Sequence, residues 1–435
     1  MFRIVTLSAV CAAFLACGPK PMPRPDAGEE VDAGMMEVDA GRPRGDDPPA
    51  GWQVVAELPT GAAEKQKLGI SVASAPDQHQ QPLVAMLYQD PNGDLNYDDN
   101  RVVFTRWDGV AKAFTEPKTI EVVGGAEARP GDRNISLTRD ASTGRIVIAY
   151  VKPQTNTIRL AISDDEGANF SLSTVDDEIH AALDSNPSVA SHNGVLHIAF
   201  LQGSSLFYRT KTGTAAWVDA SPSGITVGSP AVSLAVDSAG NAAVAFFVTV
   251  NATSADLAFW RPRTNAAAVA SADMLDVTVS GRQPSVSLTF DGTTPHLAYH
   301  LQKLDAADAT QLWYLASTDT GTTWATPVAI PRNSDGSAFH STQYYQAISV
   351  TGGRVDVAAP WSASGTQTNC NGPKLARSTD GSTFVTCSPA LSPVQRGGDY
   401  VSLWSHRAGK LTLIFAYDSR TNPSIKPGVV MWREL

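Results

Sequence analysis

Pro284-Ser285-Val286-Ser287-Leu288, then Asp291-Gly292, then His296-Leu297-Ala298-Tyr299 is the stretch whose reading decides the fold. Apolar residues interleaved with small ones flank an Asp-Gly pair, and that pair is a strong short-range signal for a tight turn between two antiparallel strands. The pattern returns at Pro187-Ser188-Val189-Ala190, Asn193-Gly194 and Leu196-His197-Ile198-Ala199-Phe200. Further copies begin at Ser71, Ser136, Ala231, Ala347 and Tyr400. Each copy has room for a third and a fourth strand before the next begins, and a repeat of this length suits the blades of a propeller. The expected fold is therefore all-β, a propeller of seven four-stranded blades, with six blades as the alternative. The ends fit a closed ring. Trp52 to Leu58 is a lone strand ahead of the first copy, and the last copy, from Asp399 to Leu435, has room for three strands. Pairing the first strand into the last blade would remove two exposed edges.

Composition agrees with a folded β protein. The chain has 435 residues, 43% hydrophobic and 17% charged, and is rich in small and β-branched types. Its formal charge of −10 leaves no basic stripe for a phosphate backbone, so no nucleic-acid partner is expected. At the N-terminus Met1-Phe2-Arg3 precedes an apolar run from Ile4 to Ala16, the layout of a secretory signal. The run ends in Phe14-Leu15-Ala16-Cys17-Gly18, which resembles a bacterial lipobox, in which the cysteine thiol receives a diacylglycerol. From Gly18 to Gly51 the chain is rich in Pro, Asp and Gly and repeats Asp-Ala-Gly at Asp26, Asp32 and Asp39, with almost nothing to bury. The expected organisation is a signal peptide at 1–16, a lipidated Cys17 with a disordered tether at 17–51, and a propeller at 52–435. The protein is expected to be exported and held in the bacterial cell envelope, at the outer membrane, through that lipid alone.

A second motif runs in phase with the blades. Ser317-Thr318-Asp319-Thr320-Gly321-Thr322-Thr323-Trp324 matches Ser-x-Asp-x-Gly-x-x-Trp, the Asp-box, and in this the chain resembles the sialidase-like bacterial neuraminidase repeat (BNR) family. Ser163 to Phe170, around Asp165, and Ser378 to Phe384, around Asp380, are further copies; Thr210 to Trp217 and Trp107 to Phe114 are weaker ones. An Asp or Ser side chain can bond the backbone N–H groups of its own turn, and Gly takes a φ that other residues resist. Asp165, Asp319 and Asp380 are accordingly expected to be scaffold, on the hairpin between third and fourth strands. Sialidases have six blades, which is what keeps six open.

Loops that join one blade to the next share a face with those between second and third strands, and propellers place ligands there. The blade-opening segments hold Arg129 and Arg133, Arg282, and Arg396 with Asp399, while Tyr344 and Tyr345 occupy that place in the sixth copy. Converging guanidiniums grip a carboxylate or sulfate in bidentate fashion. The resemblance implies an arginine triad, an Asp acid/base and a Tyr nucleophile polarised by Glu. Arg133, Arg282 and Arg396 could supply the triad and Tyr344 or Tyr345 the nucleophile, yet between Glu178 and Glu434 there is no Glu. The leading expectation is a non-catalytic, monomeric binder of a glycan or protein ligand, and the alternative is an exo-sialidase-type glycoside hydrolase. No cofactor is required. Asp90, Asn92, Asp94, Asn96 and Asp98 alternate as oxygen ligands of a structural calcium would, and an Asx-rich turn explains them equally well. Cys370 and Cys387 are left as an even pair in an oxidising compartment and are expected to form a disulfide.

Overall fold

The second strands of the blades show why the chain folds as it does. Ile146–Lys152 and Lys410–Tyr417 are apolar almost continuously rather than alternately, and Ile146 to Val151 and Leu411 to Ala416 are all buried. Such a strand is covered on both faces, as in stacked sheets, so alternation is lost where packing is two-sided. Outer strands such as Lys118–Val122 and Ser171–Thr174 stay half exposed.

A computed structural model describes residues 47–58, 70–89, 100–123, 134–152, 157–175, 184–222, 225–227, 231–251, 254–262, 285–302, 310–331, 346–360, 373–387, 401–406, 410–417 and 428–434. All belong to one unit, Arg44–Leu435. They form seven antiparallel sheets, and no helix occurs among them. The innermost strands are Ile70–Pro76, Ile135–Arg139, Asp184–His192, Ser233–Val236, Ser285–Asp291, Ala347–Thr351 and Val401–His406. Each lies against the next, and the last lies against the first, so the ring closes at seven blades. Five of the sheets have four strands. In the first blade Ala113–Phe114 and Lys118–Val122 both pair with the third strand, and the fourth blade shows three strands among the described residues.

Closure occurs where the ends of the sequence suggest it. Gly51–Glu57 pairs with Gly428–Arg433, Trp52 opposite Trp432 and Val54 opposite Val430, and so completes the seventh blade from the opposite end of the chain. Beside this joint Arg377 donates from Nε to Asp356 Oδ1 at 2.6 Å and from Nη1 and Nη2 to the Glu434 carboxylate at 2.6 and 3.0 Å. Arg354 Nε meets Asp356 Oδ2 at 2.7 Å. Burial pushes the Asp356 carboxyl up, and the two guanidiniums oppose that only in part.

A repeated dipeptide stitches three of the joints between neighbouring blades. Every innermost strand carries Ser followed by Val or Leu: Ser71-Val72, Ser136-Leu137, Ser188-Val189, Ser233-Leu234, Ser287-Leu288, Ser349-Val350 and Ser402-Leu403. The apolar partner is buried in all seven. Ser136 Oγ accepts from Val189 N at 3.1 Å, Ser188 Oγ from Leu234 N at 2.9 Å, and Ser233 Oγ from Leu288 N at 3.0 Å. A strand at the crowded centre thus finds a partner for its N–H on the preceding blade, where an unmade bond would be costly.

Candidate functional site

The two ends of the ring differ in chain length. At one end the first and second strands are joined by short turns, His192 to Val195, Asp291 to Thr294 and Thr351 to Arg354. At the other, Gln202 to Ser205 and Asn251 to Ser254 are as short, but four connections are long, from Trp260 to Ser285, Ala329 to Ala347, Pro360 to Pro373 and Cys387 to Val401. The strand ends that these long connections join lie at one end of the ring, the mouth.

At the tight end the turn carboxylates are occupied by their own backbones. Asp319 Oδ1 accepts from Gly321 N, Thr322 N and Thr323 N at 2.9, 2.8 and 3.1 Å and from Ser317 Oγ at 2.9 Å, and Ser317 Oγ in turn accepts from Gly321 N. Asp380 repeats this with Ser382 N, Thr383 N and Ser378 Oγ. Asp165 does so with Asn169 N, Asn169 Nδ2 and Ser163 Oγ. The backbone N–H donors hold all three carboxyls below the usual range although they are solvent-exposed. The turns lie between third and fourth strands, and their aromatics reach the preceding blade. Trp324 packs edge-on to Phe259 at 5.1 Å, Phe384 to Tyr314 at 5.3 Å and Phe170 to Phe104 at 5.2 Å. In the weaker copy at Trp107, Asp108 Oδ1 still accepts from Val110 N at 2.9 Å.

Arginines that sequence reading does not single out pin these turns across the joints. Arg261 donates to Thr320 O and to Asp237 Oδ2 at 2.8 and 2.9 Å and lies 5.1 Å over the Phe290 ring. Arg106 donates to Glu166 O at 2.6 Å. His197 Nδ1 and His296 Nδ1 each meet a tyrosine hydroxyl, Tyr208 and Tyr314, at 2.7 Å, and burial lowers the His296 pKa. Among the described residues no three His, Cys, Asp or Glu side chains are grouped as metal ligands.

At the mouth end, between the first and second blades, four polar groups converge. Glu121 accepts from the Tyr150 hydroxyl, from Lys152 Nζ at 2.8 Å and from Arg159 Nε at 3.3 Å. Burial alone would raise the Glu121 carboxyl, but the Lys152 and Tyr150 hydrogen bonds outweigh it and the pKa falls below the usual value. Tyr150 is fully buried, and burial followed by its bond to Glu121 raises its pKa. A nucleophile needs a lowered pKa or a base together with access, and this hydroxyl has a carboxylate neighbour but no access. Tyr150, Lys152 and Arg159 share one hairpin and Glu121 comes from the neighbouring blade, so no motif within a single repeat marks the cluster.

Arg129, Arg133, Arg282, Arg396, Asp399, Tyr344 and Tyr345, the Asp90 to Asn96 and Asp98 positions, Cys17 and Cys370 lie outside the described residues. Cys387 ends the strand Val385–Cys387, and its pairing with Cys370 likewise lies outside them.

The fold and the long-looped mouth define the class: a seven-bladed all-β propeller. No family model matches the chain, and no curated protein matches it. Among solved structures it is similar to a polysaccharide lyase, an ulvan lyase of family PL25 bound to -[GlcA(1-4)Rha3S]-, at 12% identity and a TM-score of 0.53, covering 89% of this chain and 95% of that one. It is also similar to the NanB sialidase of Streptococcus pneumoniae, at 11% identity and 0.45, covering 88% and 70%. A third is the Aleuria aurantia lectin in complex with Fucalpha1-6GlcNAc, at 15% identity and 0.45, covering 75% and 97%.

Proposed function

We propose that this chain is an exported recognition propeller, anchored through Cys17 and the 17–51 tether, that binds a carbohydrate through its long-looped mouth without cleaving it. The observation that carries the reading is the asymmetry of the ring: short turns closed on their own carboxylates at one end, long connections at the other. The non-catalytic part is supported by the lack of Glu from 179 to 433 and by the sealing of Tyr150 on Glu121 between two blades. The similarity to an ulvan lyase bound to its saccharide fits a carbohydrate ligand. Within the mouth, Arg133, Arg282 and Arg396, with Asp399 and Tyr344 or Tyr345 beside them, would hold a carboxylated or sulfated unit, and the Asp90 to Asp98 loop would hold a calcium if one binds.

The test is a glycan array on the propeller run beside hydrolysis of a fluorogenic sialoside. Binding of anionic glycans without hydrolysis is the expected result, and Arg282→Ala should weaken it about tenfold, since a charge-assisted contact contributes roughly 1.5–3 kcal/mol. Turnover of the sialoside that disappears in Tyr344→Phe or Tyr345→Phe would establish the glycosidase instead.

A further inference from the structure

At the tight-turn end, three junctions between neighbouring blades are plugged by the same pairing of an aromatic with a glycine. A Cβ on Gly167 would stand 2.2 Å from Phe104, one on Gly321 2.3 Å from Phe259, and one on Gly381 3.1 Å from Tyr314. The junction between the second and third blades departs from this on both sides. Leu160, opposite Ala149, takes the place held by Phe104 opposite Ala85, Phe259 opposite Ala245 and Tyr314 opposite Ala298. Facing it, the turn after Ser205–Thr212 has Thr212 where the shortened copy has Asp380, so no carboxylate draws its N–H groups inward. A Cβ on Gly213 would meet nothing within 4 Å. Beside this turn, with Gly213 and Thr214 in its wall, lies a groove of about 290 Å³.

Its chemistry is mixed in a specific way. Val147, Ile162 and Leu196 contribute aliphatic surface, and Ser171, Ser173 and Thr214 contribute hydroxyls. Arg145 Nε and Asp164 Oδ1 form a pair at 2.7 Å whose side chains are 31% and 67% exposed, offering a donor and an acceptor side by side. Asp140, the other acid of the lining, is engaged by Ser142, Thr143 and Gly194 N and shapes the wall. Lys211 lies over the Trp217 ring at 5.6 Å and has no acid within ion-pair distance among the described residues. The lining thus balances two cations against two acids, and Lys211 is the cation with no acid within ion-pair distance among the described residues, beside hydroxyls and aliphatic surface in a groove at the small end of the size range of ligand pockets.

We propose that this groove is a saccharide subsite, separate from the mouth, for one pyranose ring bearing a single anionic group. Lys211 takes the anion, the Arg145–Asp164 pair takes neighbouring hydroxyls, and the C–H face of the ring lies on Ile162 and Leu196. Lys211, the one lining cation not paired with an acid among the described residues, can meet a single carboxylate, and a lining that is neutral as a whole is too little for a polyphosphate. The site stands whether or not the mouth binds a glycan, because it shares none of the mouth residues.

The experiment is calorimetric titration of the full chain with methyl β-glucuronide and, separately, methyl β-glucoside. The glucuronide should bind with a Kd of about 1 mM, and the glucoside several-fold more weakly. Ser173→Trp, on the outer strand, plugs the groove and should remove its share of the binding of both; Thr214→Trp, in the exposed turn, does the same if the first variant fails to fold. Lys211→Ala should erase the groove's preference for the charged ring. No saturable heat up to about 10 mM, equal binding of the two rings by the native chain, or titrations left unchanged by the plugged variants would each overturn the proposal. The last result would leave the mouth reading standing.

Discussion

Gly321 shows how much a single position can carry. Its φ of +106° is one that L side chains rarely adopt, its N–H donates to both Ser317 Oγ and Asp319 Oδ1, and a Cβ would collide with Phe259. Gly321→Ala thus combines backbone strain with overpacking and should destabilise the protein by roughly 2–5 kcal/mol. Gly213, also at positive φ but facing open space, isolates the first effect, and Gly213→Ala should cost about 1–2 kcal/mol. Denaturant melts of the two variants check the ordering; equal losses would mean that contact with the neighbouring blade does not matter. Asp319→Ala should also lower the Tm, because three backbone N–H groups lose their acceptor. The Ser-x-Asp-x-Gly pattern is legible in the sequence because the bonds it makes are local. The ring its glycine touches belongs to another repeat, and no spacing within the motif points to it.

Between elements, the joints are polar as well as apolar, and the one between the first two blades has a pH signature. Glu121 sits on an outer strand of the first blade, and its partners Tyr150, Lys152 and Arg159 sit on the second. Its carboxyl is held below the ordinary value in the folded state. A depressed carboxyl contributes stability above the unfolded-state pKa and loses it as pH falls through the folded one. The native protein should therefore lose Tm on acidification through and below the usual carboxylate range. Glu121→Gln should start lower at neutral pH and show a shallower acid limb, as measured by thermal melts across pH. Asp356 works the other way, since its raised pKa makes its contribution largest in acid and weaker as pH rises. An acid limb unchanged in Glu121→Gln would show that the cluster is not coupled to folding. The seven Ser-Val or Ser-Leu pairs stand openly in the sequence, but Ser is so common in this chain that their meaning emerges only when the strands are aligned side by side.

For the whole molecule the decisive contact is between the chain's two ends. Gly51–Glu57 supplies the outer strand of the seventh blade, so deleting it leaves the edge of Gly428–Arg433 bare and removes the buried Val55 and Ala56. A chain beginning at Leu58 should unfold at lower temperature and in a broader, less cooperative calorimetric transition, and a sharp transition at the native Tm would show that the strand is dispensable. Seven blades, the closing strand and the placement of the Asp turns follow from repeats in the chain, because hydrophobic period and turn chemistry act within a dozen residues and leave their mark in order along it. What the tertiary structure alone decides is what different repeats do to one another: Tyr150 sealed on Glu121, Arg377 clasping the closing joint, and the groove between the second and third blades. Those outcomes depend on side chains brought together across blades, and the pairing of one blade's ring with the next blade's turn has no counterpart in any local stretch of sequence.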